Sequence, residues 1–213
     1  MLVELTPFEP DDRFEFVELG CGTAEPTARL LKHFCHATGT CVDGEPEMLE
    51  LAKPKLSPYS SRIELREADM TSCHIPASDL VFSAKAFHHV APADLSRLLG
   101  RIASALNPGG CFILFDAMSV GPRWGTRAQL QSSRFRQRHR QIAVASGLAT
   151  QHEIDARLEF KRAMKSAGKD IEYEHSAEHM VDVMSTVGFA EVALVWRMFS
   201  DTILVAYTPA RHS

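Results

Sequence analysis

Short apolar runs alternate with longer amphipathic stretches along the first half of the chain. The apolar runs are typical of buried strands, and the stretches between them have the three- to four-residue apolar spacing of helices. We predict strands over 14–19, 39–43, 62–69, 79–84 and 111–117. The helices predicted between them cover 24–37, 46–56 and 92–106. Strands alternating with helices in this way indicate βαβ units around a parallel sheet, with helices on both faces.

This alternation stops after Asp116 and resumes near residue 176. The predicted elements beyond Asp116 are two polar helices over 127–146 and 151–167, a helix over 176–189, and strands over 190–199 and 201–209. The last two strands are joined so closely, at Ser200 and Asp201, that they must pair antiparallel. We therefore predict one domain over 1–213, in which a helical insertion over 119–172 forms a lid or a dimer element.

Composition narrows the class of protein. The chain has 213 residues, a net charge of −4 and a pI near 6.2, which disfavours a protein whose whole surface binds nucleic acid. Its five cysteines are an odd number and form no C-x-x-C pair, so we expect reduced thiols in a cytoplasmic protein. We expect no signal peptide and no membrane span, because no apolar run is long enough for either.

The loop after the first strand, "FVELGCGTAEPT" (16–27), indicates a ligand site. Glycines allow a backbone to approach a ligand closely. The spacing of Gly20 and Gly22 does not match G-x-G-x-x-G, since Ala24 stands where a third glycine is expected. Glu25 would also repel a pyrophosphate in the first turn of the next helix. The loop therefore favours a ligand without phosphate there, and Glu18 could attract a cation.

Acidic residues at the ends of the next two strands indicate an adenosine. Asp43 ends the second strand, where an acid can bind both ribose hydroxyls. Asp69 ends the third strand and could accept from an exocyclic amine, while the Met70 backbone N–H could donate to a ring nitrogen. Ligands of open α/β sheets bind at this carboxyl edge. An adenosine with a cationic, phosphate-free tail fits all three strand ends, and S-adenosylmethionine (SAM) is such a molecule.

Five motifs, in the same order along the chain, resemble those of the class I SAM-dependent methyltransferases. The resemblance is strong over 14–117, and over 173–208 it lies in the topology. The motifs are "VELGCGTAEPTARLL", "VDGEPEML", "EADM", "DLVFSAKAFHHV" and "LNPGGCFILFD". The resemblance implies a Rossmann-like α/β sheet of seven strands in the order 3-2-1-4-5-7-6, with the last strand antiparallel. It also implies SAM as cofactor and S-adenosylhomocysteine as product. The cofactor-binding residues that we predict are Glu18, Gly20, Cys21, Gly22, Ala24, Asp43, Gly44, Met48, Asp69, Met70 and Ser83.

Two adjacent histidines, His88 and His89, follow the fourth strand beside the expected methyl position. Imidazole suits general-base catalysis near neutral pH. His88 also aligns with the histidine that acts as base in plant-type small-molecule O-methyltransferases. The alternative is that both histidines only line the pocket. Asp116 faces the site from the fifth strand, but no triad of acids is evident, so we predict no metal.

The acceptor site is expected in the insertion. Most relatives have helices before the first strand that cover the cofactor, but only about 13 residues precede it here. We expect residues 119–175 to close the pocket instead, with a second copy in a homodimer. No acid occurs between Asp116 and Glu153, and the arginines there suggest an anionic pocket or a solvated face. The predicted acceptor-binding residues are Trp124, Arg127, Tyr173, His175 and His179.

The leading function is therefore O- or N-methylation of a small molecule. The ending "VGFAEVALVWRMFSDTILVA" and the place of the insertion are also similar to carboxy-SAM synthases of tRNA wobble-uridine modification. Those proteins carry no histidine pair at the position of "KAFHHV". A tRNA-modification enzyme of that type and a non-catalytic SAM-binding partner protein are the alternatives.

Overall fold

A seven-stranded sheet forms the centre of the computed structural model, which describes residues 2–119, 126–147, 150–168 and 171–210. The strands are β1 (Glu15–Leu19), β2 (Thr38–Asp43), β3 (Ile63–Glu67), β4 (Ser78–Ala84), β5 (Leu106–Ala117), β6 (Glu191–Met198) and β7 (Asp201–Tyr207). Their order is β3-β2-β1-β4-β5-β7-β6. The first five strands pair in parallel, and β7 runs antiparallel to both β5 and β6. The predicted order and strand directions are confirmed.

The described helices alternate with the strands along most of the chain. They are α1 (Leu2–Leu5), α2 (Glu25–His33), α3 (Pro46–Leu56), α4 (Pro92–Ala105), α5 (Thr126–Ala145), α6 (Gln151–Ser166) and α7 (Ala177–Thr186), with single 3-10 turns at Ser57–Tyr59 and Phe87–His89. In α4, Leu95, Leu98, Leu99 and Ile102 are buried, which is the spacing of one helix face. They join α7 in the core of one sheet face, while α2 and α3 pack on the other.

The helix α2 ends earlier than the predicted 37, at His33. The cause is a long-range cap. The Arg62 guanidinium donates hydrogen bonds to the backbone carbonyls of Leu31, Phe34 and Ala37, at 2.8, 2.8 and 3.2 Å. Carbonyls at a helix end have no partner within the helix, so a side chain from another element can satisfy them and end the helix. That contact joins residues about 30 positions apart, and local sequence gives no sign of it.

The strand β5 starts earlier than the predicted 111, at Leu106. Leu106 pairs with Ser78, but the register then shifts, and the next pair joins Leu80 to Cys111. The "NPGG" residues in between bulge out of the β4 pairing. The end of β7 holds this bulge, because the Thr208 backbone N–H donates to the Gly110 carbonyl at 3.0 Å. The predicted strand over 111–117 is thus the regular part of β5.

The insertion after β5 has the two predicted helices, α5 and α6. Side chains 133–142 of α5 are all exposed. One described contact of α5 with the sheet is aromatic: the Phe135 ring centroid lies 5.6 Å from that of Phe199, in the β6–β7 turn. Residues 171–175 then lead back to the sheet before α7. Among the described helices, none combines the length and apolarity that crossing a membrane would require.

Candidate functional site

The loop between β1 and α2 is shaped by two glycines with positive φ, Gly20 at 69° and Gly22 at 52°. The backbone N–H groups of Gly20 and Cys21 both donate to the Val42 carbonyl, at 2.8 and 3.0 Å. A Cβ on Gly20 would stand 2.2 Å from the Cβ of Ala86, so no side chain fits there. A Cβ on Gly22 would meet no heavy atom within 4 Å. The loop thus packs tightly at Gly20 and leaves space for a ligand at Gly22.

Ala24, in place of a third glycine, also has a left-handed conformation, with φ 54° and ψ 33°. It is fully buried and precedes the first turn of α2. A left-handed alanine costs about 1 kcal/mol relative to glycine. Alanine at this position therefore keeps the backbone path of the loop and adds strain. Its methyl group does not fill the space beside Gly22.

Asp43, at the end of β2, is bonded to the glycine loop. Its Oδ2 accepts the Gly22 backbone N–H at 2.6 Å, and its Oδ1 accepts that of Glu45 at 2.9 Å. Each carboxylate oxygen has two lone-pair sites, so each can still accept a hydroxyl. Gly44 beside it is exposed, and Met48 in α3 is partly buried. Asp43 can therefore orient the loop and bind a ribose at the same time.

Asp69 and Met70 lie at the end of β3. Asp69 Oδ1 accepts from both the backbone and the hydroxyl of Thr71 at 2.8 Å, which fixes a turn on the surface. The Met70 side chain reaches the glycine loop, since its Cε would stand 3.1 Å from a Cβ on Gly20. The structure thus brings the predicted residues after β1, β2 and β3 to one edge of the sheet.

Three other residues predicted for the cofactor lie beneath this edge. Glu18 has no exposed surface, Ser83 is 1% exposed and Cys21 is 4% exposed. The Ser83 hydroxyl donates to the Leu19 carbonyl at 2.7 Å, and thereby joins β4 to β1. Burial raises the pKa of Glu18 to about 8, although a hydrogen bond from the Thr27 hydroxyl opposes this. In this arrangement the three side chains support the loop from below.

His88 is held by a carboxylate in a 3-10 turn at the end of β4. Its Nδ1 lies 2.7 Å from Oδ1 of Asp116, and its backbone N–H donates to Oδ2 at 3.1 Å. Asp116 is 2% exposed and also accepts the Ala117 backbone N–H at 2.6 Å. A carboxylate can only accept at neutral pH, so Nδ1 carries the proton and Nε2 is free to act as a base. The sequence predicted His88 but not that Asp116 orients it.

Residues 171–175 run alongside this turn. The Tyr173 backbone N–H donates to the His88 carbonyl at 2.7 Å, and His89 Nδ1 lies 2.9 Å from the Ile171 carbonyl. His175 is buried, with Nε2 2.9 Å from the Val90 carbonyl. The structure thus places the Tyr173 backbone against His88 and the His175 ring against the Val90 carbonyl, and their binding of an acceptor stays a prediction.

Glu172, which the sequence did not single out, lies near Nε2 of His88. Its Oε1 is 4.0 Å from His88 Nε2, and its side chain is 39% exposed. The acidic "EYE" at 172–174 was visible in the sequence, but its nearness to His88 depends on how the chain folds back. Glu172 therefore places an acidic side chain at the edge of the site beside His88.

Of the other predicted acceptor residues, the structure describes the side chain of His179. His179 is exposed in the first turn of α7, where its backbone N–H donates to the Ser176 hydroxyl at 3.1 Å. Trp124 lies outside the described residues, and of Arg127 only the helical backbone of α5 is described. The described arginines of α5 are exposed at positions 134, 136, 138 and 140.

A separate groove of about 340 Å³ lies at the opposite edge of the sheet, near the starts of β1, β2 and β3. Residues 68–77 connect β3 to β4 without a helix, which leaves this part of the sheet face uncovered. None of the residues predicted for the site lines the groove. We therefore assign the chemistry to the carboxyl edge, where the loops and His88 meet.

Comparison with known proteins agrees with this assignment. Residues 16–110 match the model of a methyltransferase domain family. Over 105 residues, 46% of this chain, the sequence is 32% identical to the carboxy-S-adenosyl-L-methionine synthase of Aeromonas hydrophila subsp. hydrophila and covers 41% of that protein. The chain spans less than half the length of the curated relatives it matches.

Two solved structures show the same fold over nearly the whole chain. The pyocyanin biosynthetic protein PhzM superposes with a TM-score of 0.66 at 19% identity, over 97% of this chain and 53% of PhzM. Human N-acetylserotonin methyltransferase, solved in complex with SAM, gives a TM-score of 0.61 at 19% identity, over 92% of this chain and 48% of its own. At such identities the likeness establishes the fold, so substrate and reaction must be argued from the site.

Proposed function

We propose that this chain, whose residues 16–110 match a methyltransferase domain family, is a class I SAM-dependent methyltransferase that transfers a methyl group to a hydroxyl or amine of a small molecule. The observation that carries the proposal is the His88–Asp116 pair, at 2.7 Å, beside the glycine loop. A base held by a buried carboxylate is what an acceptor that must lose a proton requires.

The glycine loop fits the cofactor. A Cβ on Gly22 would meet no protein atom within 4 Å, so a ligand can approach the backbone there, while Gly20 packs against Ala86 and holds the loop in place. Asp43 would hold the ribose, while Met48 and the Asp69–Met70 turn would border the adenine. When bound, SAM supplies a methyl group on a positively charged sulfur. The residues of this chain then have to position the acceptor and exclude water.

His88 would take the acceptor proton at Nε2 while the acceptor attacks the methyl group. Asp116 would keep the proton on Nδ1 before the reaction and stabilise the imidazolium that forms, because its Oδ1 lies 2.7 Å from Nδ1. His89, exposed and bonded to the Ile171 carbonyl, would line the entrance rather than act as the base.

Glu172 favours a neutral or cationic acceptor. Its carboxylate, 4.0 Å from His88 Nε2, would repel an anionic group placed against the base. The described arginines that suggested an anionic acceptor are exposed on α5. We therefore propose a phenol, alcohol or amine as the acceptor, and the anionic acceptor expected from the sequence stays an untested prediction.

The insertion would act as the cover of this site. Residues 171–175 lie against the 3-10 turn of His88, and Phe135 of α5 contacts Phe199 in the β6–β7 turn. These contacts support a lid over the carboxyl edge. We also propose a homodimer and a cytoplasmic location. The mass of the protein in solution tests the first, and cell fractionation tests the second.

Formation of S-adenosylhomocysteine tests this function. The purified protein is incubated with SAM and with panels of phenols, alcohols and amines, and products are identified by mass spectrometry. We expect His88→Ala to lower turnover about 100-fold or more, the usual contribution of a general base, with SAM affinity within about twofold of wild type. The exposed His36→Ala is the matched control and should turn over like wild type.

Three outcomes of that experiment would change the assignment. Full turnover by His88→Ala would contradict the role of the base. A carboxylated SAM product would favour the carboxy-SAM synthase reading, which the 32% identity to that enzyme supports. SAM binding without any turnover on all panels would favour a non-catalytic SAM-binding partner.

A further inference from the structure

A buried carboxyl group lies directly beneath the cofactor loop. Glu18 is the penultimate residue of β1, two positions before Gly20, and has no exposed surface. Its Oε2 accepts a hydrogen bond from the Thr27 hydroxyl, and the Cys41 thiol lies 3.9 Å from the same oxygen. Its Oε1 is buried without any hydrogen-bond partner. A bare carboxylate with an unpartnered oxygen is costly to bury, which indicates that the group is neutral here.

The groups that surround Glu18 add no positive charge. Thr27 faces it from α2, Cys41 and Asp43 from β2, and Cys21, which contacts Cys41, from the loop itself. In the part of the chain that the structure describes, no cationic side chain forms an ion pair with Glu18. Burial raises the pKa of Glu18 to about 8, and the Asp43 charge raises it further, against the hydrogen bonds from Thr27 and Cys41. Near neutral pH the carboxyl group is therefore mostly protonated.

The loop connects this group to the ligand side. The Gly20 and Cys21 backbone N–H groups are tied to Val42, and that of Gly22 is tied to Asp43. A ligand beside Gly22 would therefore sit on a loop held by one ionised carboxylate, with a second, neutral one beneath it. A nearby cation favours the ionised form of a carboxyl group. SAM carries a sulfonium and an ammonium against one carboxylate, and S-adenosylhomocysteine lacks the sulfonium.

We propose that Glu18 is a proton-linked positioning residue of the cofactor loop, neutral when the loop is empty and ionised when the cationic cofactor is bound. In that step the O–H bond of the Glu18 carboxyl group breaks, its electron pair stays on the carboxylate, and the proton passes to the buffer. The negative charge so formed offsets the positive charge of the cofactor. This inference takes only the identity of the cofactor from the proposed function. It does not depend on which acceptor is methylated.

The expected pH dependence follows from the raised pKa. Below about pH 8 the empty protein holds the Glu18 proton, so binding releases it and SAM affinity rises with pH, by at most about tenfold per unit. Above that pH the dependence disappears. The contribution of Glu18 to the stability of the empty protein changes with pH in the opposite direction. The folded state holds this proton more tightly than the unfolded chain, so the contribution of Glu18 to stability falls as pH rises from about 4.5 to about 8.

Titration calorimetry in two buffers of different ionisation enthalpy measures the proton count directly. SAM is titrated into wild type, Glu18→Gln and the control Glu25→Gln at pH 7. Glu25 is half-exposed on α2 and paired with Arg29 and Lys55, so it should not report on the loop. We expect Glu18→Gln to release about 0.5 to 0.9 fewer protons per SAM bound than wild type and Glu25→Gln to match wild type. The comparison with Glu18→Gln also removes any proton taken up by the cofactor's own amino group.

S-adenosylhomocysteine is the second ligand, because it has the same shape without the sulfonium charge. We expect it to release fewer protons from wild type than SAM does. Equal proton counts for wild type and Glu18→Gln with SAM would overturn the proposal. Absence of binding by both ligands would overturn the proposed cofactor site itself, and so the two failures are distinguishable.

A measurement on wild type alone keeps the proposal testable if Glu18→Gln does not fold. The Glu18 carboxyl carbon, observed by NMR after ¹³C labelling of glutamate, should titrate near pH 8 in the empty protein. With saturating SAM its midpoint should fall by about two pH units or more, the size of shift that a nearby cation produces. A midpoint that SAM leaves unchanged would contradict the proton release.

Discussion

The glycine loop and the insertion differ in how the fold holds them. In the loop, the backbone N–H groups of Gly20, Cys21 and Gly22 are all bonded to β2, and the side chains beneath are buried. In the insertion, side chains 133–142 of α5 are exposed, and a single aromatic pair, Phe135 with Phe199, is the described ring contact to the sheet. The cofactor side of the site is thus fixed by the sheet, while the acceptor side rests on a loosely attached element.

This difference suits the proposed methyltransferase. The cofactor is the same in every turnover, so a rigid loop built by the sheet is sufficient for that half. The acceptor must enter and the product must leave, and elements that open for this purpose have few buried contacts. Substitutions in the loop should therefore change stability strongly, and equivalent ones in the insertion should change it little.

The largest effect is expected for Gly20→Ala, compared with Gly168→Ala. Both glycines have φ of 69°, so both substitutions carry the same backbone cost of about 1 to 2 kcal/mol. At Gly20 the new Cβ would also meet Ala86 Cβ at 2.2 Å, whereas Gly168, between α6 and α7, has nothing within 4 Å. We expect Gly20→Ala to lower the free energy of unfolding by about 2 kcal/mol more than Gly168→Ala, as overpacking does.

Urea unfolding followed by circular dichroism measures both variants. Because the penalty at Gly20 is steric, Ala86→Gly added to Gly20→Ala should recover part of the loss. Equal losses at the two glycines would mean that the loop is no more constrained than the insertion, and the contrast between the two regions would then fail.

The two regions also differ in what the sequence could predict. Local signals found the loop, because the apolar run of β1, the glycines and the acid at Asp43 all lie within about 30 residues. Local sequence also indicated His88, because the histidine pair follows shortly after the apolar run of β4. The sheet order followed from the resemblance to a known family, since the periodicity by itself indicates strands and helices but not which strands are neighbours.

Contacts between distant residues were not predictable from local pattern. Arg62 ends α2 by binding carbonyls about 30 positions away, and Glu172 reaches His88 only because 171–175 folds back along the 3-10 turn. Glu18 was expected to attract a cation, but its burial depends on how α2 packs over β1. In each case the missing information was the tertiary packing that sets burial and distance.

A smaller effect is expected for Phe135→Ala in the insertion. Its ring lies 5.6 Å from Phe199 and 5.9 Å from His139, and an aromatic pair contributes about 0.5 to 1.5 kcal/mol. Loss of the ring should raise the population of detached α5 and so the rate of trypsin cleavage after its arginines, by about 2- to 10-fold. The melting temperature of the sheet domain should change by less than about 2 °C.

Ile142→Ala is the control for that experiment, since Ile142 is 55% exposed on the same helix. Its cleavage rate should stay within about twofold of wild type, because alanine preserves the helix. If Phe135→Ala instead melted the whole domain, the insertion would be part of the core and the two regions would not be separable.

The smallest effect, and the one whose sign is most informative, is expected for Ala24→Gly. Glycine removes the cost of about 1 kcal/mol of a left-handed alanine at φ 54°, but it also loses the buried methyl group and gains freedom in the unfolded chain. These contributions nearly cancel, so we expect a melting temperature within about 2 °C of wild type. SAM affinity should also stay within about twofold, because the Ala24 methyl group is buried away from the space beside Gly22. A clear rise in affinity measured by calorimetry would show that Ala24 narrows the loop, and the cofactor side would then be less completely fixed than its hydrogen bonds indicate.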